Sequence, residues 1–513
     1  MTKLISALKS ELMQDQIKPI FQDAETGDWV TRGQVEEDVA RLKQRLIENK
    51  IGNGDRVLIA LENSIFYPAL MQTIWELGAI AMPIADTTPG DELRRQIATN
   101  QYSAIFVQNK FVSDLSQDLE IKKEYIALNT IEEITFLVND QLLQVRNQAI
   151  QVPIKETDLA MILHTSGTTG KPKSVGLTQE LLYNGAIHDR DSHQMTANDT
   201  ALILMPMFHV NAQVMTLFQM RLSGGKVVIA KKFSASHFWQ QVAIGRVTWV
   251  SVVPTIISIL LLNENAIAQY QEYKSQIHLR FLRSSSFALP LKKLTDFEKQ
   301  FNTQILEGYG MTETASQCTI NPIEAPKIGS AGKPFATELK LVADGKLTDE
   351  ANVVGEIAVR GDHVIADYLE PHADSFTNGW FLTGDLGYLD EDGYLFVKGR
   401  RKEMISRGGE KVAPAKVENV LNELPFVEQV AVIGLPDDLY GEEVTAVIVL
   451  KEPKSSKRLV KEEVLNYTEH KLAKFERPTK ILFVDKFPRN TTGKVVRPKL
   501  RDELLATMVG GNQ

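Results

Sequence analysis

The stretch Thr165-Ser166-Gly167-Thr168-Thr169-Gly170-Lys171-Pro172-Lys173 decides how this chain is read. It follows the apolar run Ala160-Met161-Ile162-Leu163, which reads as a buried strand. Two glycines let the backbone approach an anion closely, hydroxyls and N–H groups supply donors, and two lysines supply charge. That is the chemistry of a phosphate cradle. It departs from the P-loop pattern, because Gly170-Lys171 is followed by Pro172 and not by Ser or Thr. A polar hairpin would share the composition, but the density of donors after a buried strand favours the cradle.

Upstream of this loop, Arg56–Leu61, Ala79–Ile84 and Ala104–Val107 read as strands, and Phe66–Leu77 and Glu92–Thr99 as helices. Short buried strands alternating with helices predict parallel βαβ layers and an α/β fold over the first four-fifths of the chain. Downstream, Val247–Val253 reads as a strand that opens at Pro254 into a helix. The apolar stretch Val247–Leu262 is interrupted by Pro254 and shorter than the ~20 residues that cross a bilayer, so no membrane span is expected.

The composition changes at Gly399-Arg400-Arg401-Lys402-Glu403, after the strand-like Gly393–Val397. This places a boundary: residues 1–401 form a large N-terminal unit of layered sheets and helices, and residues 402–513 a small α+β unit. In the small unit Lys416–Leu424 and Val460–Leu472 read as helices, and Gln429–Ile433, Val444–Leu450 and Lys480–Val484 as strands. Val509–Gln513 reads as a frayed tail.

The whole chain has 513 residues, roughly three domain-sized units at about 150 residues each. With 43% hydrophobic and 24% charged residues it can bury a large core, and global disorder is excluded. A net charge of −8 is a poor footprint for a general nucleic-acid binder. A single cysteine, Cys318, excludes an intrachain disulfide framework and a thiolate zinc cluster. The N-terminus is charged too early for a secretory signal, so a cytoplasmic location is expected.

Further motifs follow the phosphate loop in order. They are Pro206-Met207-Phe208-His209-Val210, Glu307-Gly308-Tyr309-Gly310-Met311-Thr312-Glu313-Thr314, Gly355-Glu356-Ile357 and Trp380-Phe381-Leu382-Thr383-Gly384-Asp385. Then come Lys398–Glu403, Ser406–Lys411 and Pro488-Arg489-Asn490-Thr491-Thr492-Gly493-Lys494. From about residue 160 to 500, this ordered set resembles the AMP-forming adenylating enzymes: acyl- and aryl-CoA ligases, firefly luciferase and nonribosomal peptide adenylation domains. The resemblance implies their fold, a large N-terminal domain with a small mobile C-terminal one. It also implies two half-reactions. A carboxylate attacks the α-phosphate of ATP, giving an acyl-adenylate and pyrophosphate; a thiol, that of coenzyme A, then displaces AMP.

By the same resemblance, Thr165, Ser166, Gly167, Thr168, Thr169 and Gly170 cradle the β- and γ-phosphates with Lys173 alongside. Glu313 holds Mg²⁺, Thr312 contacts the α-phosphate, and Lys494 reaches both the substrate carboxylate and the α-phosphate. Tyr309 stacks on adenine, Asp385 accepts the ribose hydroxyls, and Arg400 contacts ribose and phosphate. Lys402 is the hinge, and after rotation Gly409 and Lys411 sit on the thiol path. Taken alone, Glu313 also suits a helix-capping carboxylate, and Lys494 a solvated turn lysine.

The segment Arg283-Ser284-Ser285-Ser286-Phe287-Ala288-Leu289-Pro290 stands where the family has its small-residue adenine wall. Ser285 is expected at the nucleotide, and Ser284, Phe287 and Gly308 at the acyl group. His209 and Asn211 belong to the same acyl pocket, with His209 either catalytic or a packed core histidine. The pattern around His209 and Lys231–Trp239 looks most like the oxalyl-CoA and carnitine/crotonobetaine–CoA ligase branches. Asn211, Phe287 and the Ser284–Ser286 run combine polar and small groups and predict a short or polar acid over a long-chain one. Transfer to a carrier-protein phosphopantetheine is the alternative. The Lys454–Lys461 basic cluster suits CoA phosphates, an acidic carrier or a plain solvated face. Monomer and homodimer both remain open.

Overall fold

The computed structural model describes the whole chain except residues 119–120, 144–148, 150, 166–172, 453–456, 491–492 and 511–513. Its centre is two large sheets. The seven-stranded one runs in the order Lys122–Ile126, Ile134–Val138, Tyr102–Val107, Arg56–Ala60, Ile80–Pro83, Leu159–Thr165, Lys173–Thr178. Its four middle strands are parallel, as their unbroken apolar runs predict, and its edge pairs are antiparallel. The nine-stranded sheet is likewise parallel from Ile305–Gly310 to Pro19–Asp23, and antiparallel at both ends.

The helix Tyr67–Glu76 is buried from Tyr67 through Trp75, and the Trp75 ring meets Phe218 edge-on at 4.7 Å. A helix with so few polar positions sits inside a core, and its Gln72 amide donates to Glu76, which also pairs with Lys9 and Lys43. One contiguous core extends from Leu4 to Leu395 and includes the buried free thiol of Cys318.

Alternation of strand and helix does not continue to residue 400. Glu338–Arg400 forms a purely antiparallel sheet of six strands. Two of its pairs are joined by two-residue turns that leave no length for a crossover helix: Asp344-Gly345, with φ of 49° and 74°, and Asn378-Gly379, with φ of 48° and 78°.

A separate five-stranded sheet holds Glu410–Val412, Ile405–Arg407, Gly441–Leu450, Val427–Asp437 and Lys480–Phe483. Its two faces carry cores of their own, from Ile405 to Ile481 and from Ala431 to Leu500. The two long strands exceed the expected Gln429–Ile433 and Val444–Leu450, and pair along a continuous hairpin. The first helix of this unit starts at Pro414 in place of Lys416 and ends at Leu421. The expected tail is partly helical, since Val509 and Gly510 end the helix Arg497–Gly510, while residues 511–513 lie outside the described residues. Among the described residues, no helix is long and apolar enough to cross a membrane.

Candidate active site

The carboxyl ends of the parallel strands of the nine-stranded sheet open onto a cavity of ≈ 340 Å³, a common place for a ligand in an α/β sheet. From the large unit Ser284, Phe287, Gly308, Tyr309, Asp385 and Arg400 line it; from the small unit come Glu418, Arg489, Lys494 and Arg497. Ser284 ends the strand Phe281–Ser284, and Tyr309 lies near the end of the neighbouring Ile305–Gly310. The Ser284 hydroxyl is buried without a hydrogen-bond partner.

Asp385 and Arg400 are direct partners across the antiparallel pair Trp380–Leu389 and Leu395–Arg400, so both side chains leave one face. Arg400 Nε lies 2.9 Å from Asp385 Oδ1, and the Tyr309 hydroxyl donates to Asp385 Oδ2 across 2.7 Å. Burial, reinforced by the Asp385 charge, keeps the Tyr309 phenol neutral. One carboxylate thus ties an aromatic ring and a guanidinium to the cavity wall.

Lys494 sits at the end of a tight turn. Its N–H donates to Asn490 Oδ1 at 2.9 Å, and its carbonyl accepts from the Asn490 N–H at 2.9 Å. The Thr255 hydroxyl donates to Gly493 O at 3.5 Å, joining this turn to the helix Pro254–Leu262 of the large unit. Lys293 makes a second bridge between the units, donating to Ser258 Oγ at 3.1 Å and to the Glu428 carbonyl at 3.2 Å. Burial pushes the Lys494 ammonium below its ordinary pKa; Glu403 and Asp385 oppose that, and Arg400 and Arg497 add to it. The lysine is therefore a cavity group and not a solvated turn residue. Arg497 occupies the nearby acids, at 3.0 Å from Glu403 and 2.7 Å from Glu418.

Glu313 lies in the short turn Thr312–Thr314 with 8% of its surface exposed. It caps no helix: its Oε1 accepts from the Tyr368 hydroxyl at 2.8 Å. Lys173 lies 4.3 Å from the centre of the same phenol ring and donates to Ser375 Oγ at 3.0 Å. Burial lowers the Lys173 pKa, with Glu313 opposing. Thr165 and Lys173 face each other across the hairpin pair Leu159–Thr165 and Lys173–Thr178, so both ends of the expected phosphate loop are fixed; Ser166 to Gly170 lie outside the described residues.

The structure does not bring His209 and Asn211 to the cavity wall. The His209 ring lies tilted against Phe208 at 4.0 Å between centroids, and its Nε2 is buried without a partner. Burial pushes its pKa down to about 4, so the ring is neutral. Asn211 stands one layer behind Ser284: its amide donates to Ser285 Oγ at 3.2 Å, and its Oδ1 accepts from Ser251 Oγ at 2.9 Å. The fully buried Arg283 also donates to Ser285 Oγ, at 3.1 Å. Ser285 is thereby occupied within the wall. After Asn211 the chain winds as a π-helix over Gln213–Phe218, a widened turn often found beside functional sites. Gly409 and Lys411 lie in an exposed hairpin outside the cavity, and Lys402 is exposed in the short turn Arg401–Glu403. Of the basic cluster, residues 453–456 lie outside the described residues; Lys457, Arg458 and Lys461 are exposed on the helix Lys457–Lys471.

Sequence reading missed Tyr368, Arg497, Glu418 and Asn63. Tyr368 is 55 positions from Glu313, with no local spacing to join them. Asn63 fastens the Met207 loop through three hydrogen bonds, to Met205 O, Ala230 O and the Met207 N–H.

The sequence pattern of the family described as AMP-binding enzyme matches residues 11–369, and that of the AMP-binding enzyme C-terminal domain matches residues 416–494. The chain is 33% identical to a sulfoacetate–CoA ligase of Cupriavidus necator over 94% of each protein. It is 31% identical to an oxalate–CoA ligase of Arabidopsis thaliana over 91% of this chain and 92% of that one. Its structure resembles o-succinylbenzoate CoA synthetase from Bacillus subtilis bound to its acyl-adenylate, with a TM-score of 0.80, 28% identity and coverage of 96% and 97%. The same synthetase bound to ATP and a magnesium ion gives a TM-score of 0.79 at 28% identity, over 96% and 98%. With patterns matched over most of both units and relatives similar from end to end, this chain belongs to the AMP-binding enzymes, within the AMP-forming acyl-CoA synthetase superfamily.

Proposed function

We propose that this chain joins a short, polar carboxylic acid to coenzyme A through an acyl-adenylate. The observation that carries the reading is that Lys494 of the small unit shares one cavity with Asp385, Arg400 and Tyr309 of the large one. Bringing a carboxylate onto a phosphate puts two anions together, so cations fixed in a dry site lower the barrier. Lys494 and Arg400 are those cations. Tyr309 and Asp385 hold the nucleoside, and Thr165, Lys173 and Thr312 flank the phosphates.

A magnesium ion fits Glu313: a single carboxylate, with its other ligands supplied by phosphate and water, is the usual provision for this hard cation. Bound there, it would neutralise phosphate charge. Tyr368 fixes one oxygen of Glu313, which orients the carboxylate. Residues 402–513 act as a domain that turns at Lys402. The present orientation suits adenylation, and a second would bring Gly409 and Lys411 to the site for the thiol.

The polar backing of the acyl wall supports a small or polar acid. Ser284, Ser285, Asn211, Ser251 and Arg283 put hydroxyl, amide and guanidinium groups where a long-chain pocket would need apolar ones. Relatives named for sulfoacetate and oxalate agree with that. Pyrophosphate release over a panel of acids, with and without coenzyme A, tests the reading. Dicarboxylates and short polar acids should give the highest efficiency, and AMP should appear with the thioester. Highest efficiency on a C16 fatty acid, or release of ADP, would contradict it. Acylation of a carrier protein in preference to coenzyme A would replace the acceptor.

A further inference from the structure

A second cluster of ligand-type side chains lies outside the cavity. His188 projects from the helix Gln179–Ser192, while Asp362 and His363 follow the strand Gly355–Arg360. Their ligand atoms all lie within 4.8 Å of one another. Asp362 Oδ1 is 2.7 Å from His188 Nε2 and 3.5 Å from His363 Nδ1. The Asn184 amide, one helical turn before His188, donates to the Asp362 carbonyl at 2.9 Å and holds the loop against the helix.

His363 is fully buried, and its Nδ1 makes no hydrogen bond. Its tautomer follows from the other nitrogen. Nε2 lies 3.2 Å from the Gln317 carbonyl and 3.2 Å from the Thr337 hydroxyl. A carbonyl only accepts, and the Thr337 hydroxyl itself donates to Phe335 O at 3.0 Å. Nε2 therefore carries the hydrogen, and Nδ1 presents a bare lone pair towards the Asp362 carboxylate. The Asp362 carboxylate takes its hydrogen bond from His188 Nε2, which leaves His363 Nδ1 as the buried nitrogen without a donor of its own. Gly361 keeps this space open, because a Cβ there would stand 3.1 Å from His363 Nδ1. A histidine whose far N–H is anchored on a backbone carbonyl is the usual outer support of a metal ligand.

We propose that His188, Asp362 and His363 bind a divalent transition metal of the zinc class, with water completing the coordination. Two imidazoles and one carboxylate suit such an ion and leave an open position. Ligand atoms around a tetrahedral zinc stand ~3.3 Å apart. The Asp362–His363 pair already has that spacing, and the partly exposed His188 side chain has room to adjust. The ion would staple the helix to a loop that reaches Glu313, because the Ile365 N–H donates to the Glu313 carbonyl at 2.9 Å. The site is separate from the expected magnesium ligand and independent of the acid used.

The test uses the full chain stripped with a chelator and titrated with zinc chloride, followed by calorimetry and thermal melting. Cobalt chloride gives a visible-absorption check. About one zinc per chain should bind, with a dissociation constant of about 10 µM or tighter, and raise the melting temperature. His188→Gln at a half-buried position and Asp362→Asn at an exposed one should each weaken binding at least ~10-fold and abolish the melting shift. Excess Mg²⁺ should not displace the zinc. Absence of saturable binding, unchanged affinity in both variants, or displacement by Mg²⁺ would each overturn the proposal.

Discussion

The Tyr368 hydroxyl donates to Glu313 across 2.8 Å while the Lys173 ammonium lies 4.3 Å from the centre of the same ring. One phenol thus sets the spacing of the acid expected to hold magnesium and a lysine expected beside the phosphates. It fixes only one oxygen of Glu313, which leaves the other for a cation.

Tyr368→Phe should keep the ring under Lys173 and free the carboxylate. A hydrogen bond to a charged group contributes about 2 kcal/mol, so adenylation should slow ~10–30-fold, with a higher Mg²⁺ requirement. Glu313→Gln should cost more, ~10²-fold or beyond. Pyrophosphate release as a function of Mg²⁺ checks both. Equal, small effects would remove Glu313 from metal binding.

Asp385 is shared by Tyr309 and Arg400. Asp385→Asn removes the charge that Arg400 faces and weakens the acceptor for a ribose diol. KM for ATP should rise at least ~10-fold, with KM for the acid nearly unchanged. Tyr309→Phe keeps the ring and should raise KM for ATP less than threefold, about 0.6 kcal/mol. Steady-state kinetics with ATP and with 2′-deoxy-ATP separate these effects: the Asp385 variant should lose its preference for the ribose.

Burial holds His209 neutral, with its pKa pushed down to about 4 from an ordinary 6.5. The unfolded chain then binds more protons between those values, so stability is full above pH 6.5 and falls as pH drops towards 4. His193, buried and pushed down to about 3, acts in the same direction. Between pH 7 and 5 the His209 contribution is about 2 kcal/mol. His209→Gln should flatten that part of the stability–pH curve in urea melts. A slope identical to the parent would mean that the ring is protonated or solvated.

Much of this architecture was legible because local pattern and tertiary role agree. The run Ala160–Leu163 is a central strand, the largely apolar Phe66–Leu77 holds a helix buried from Tyr67 to Trp75, and Pro254 opens its helix at the first turn. What failed was long-range. Nothing near Asn211 announces that Ser251 and Ser285 will take up its amide and leave it behind the cavity wall. The antiparallel sheet after residue 338 was hidden because strands such as Trp380–Leu389 alternate in burial and lack the continuous apolar runs that marked the parallel ones. The Asp344-Gly345 and Asn378-Gly379 turns were available signals.

Lys402 lies exposed between the core that ends at Leu395 and the one that starts at Ile405. A rotation there must be absorbed by φ/ψ changes at a few residues. Lys402→Pro should leave acyl-AMP formation near normal and slow thioester formation at least ~10²-fold, about 2.7 kcal/mol of barrier. Lys402→Ala, which frees the dihedral and removes the charge, should slow neither step. Equal damage from Ala would assign the effect to the side chain.

The most direct test of the account is the Lys494→Ala variant measured in the two half-reactions separately. Lys494 is half-buried and lines the cavity together with Arg400 and Asp385 in the orientation seen here. Pyrophosphate release from ATP and acid should fall ~10²–10³-fold or more, because a charge fixed at the reacting phosphate is lost. Thioester formation from supplied acyl-AMP and coenzyme A should proceed at the parent rate, since the proposed function assigns that step to a second orientation. An equal loss in both steps, or no loss in the first, would contradict it.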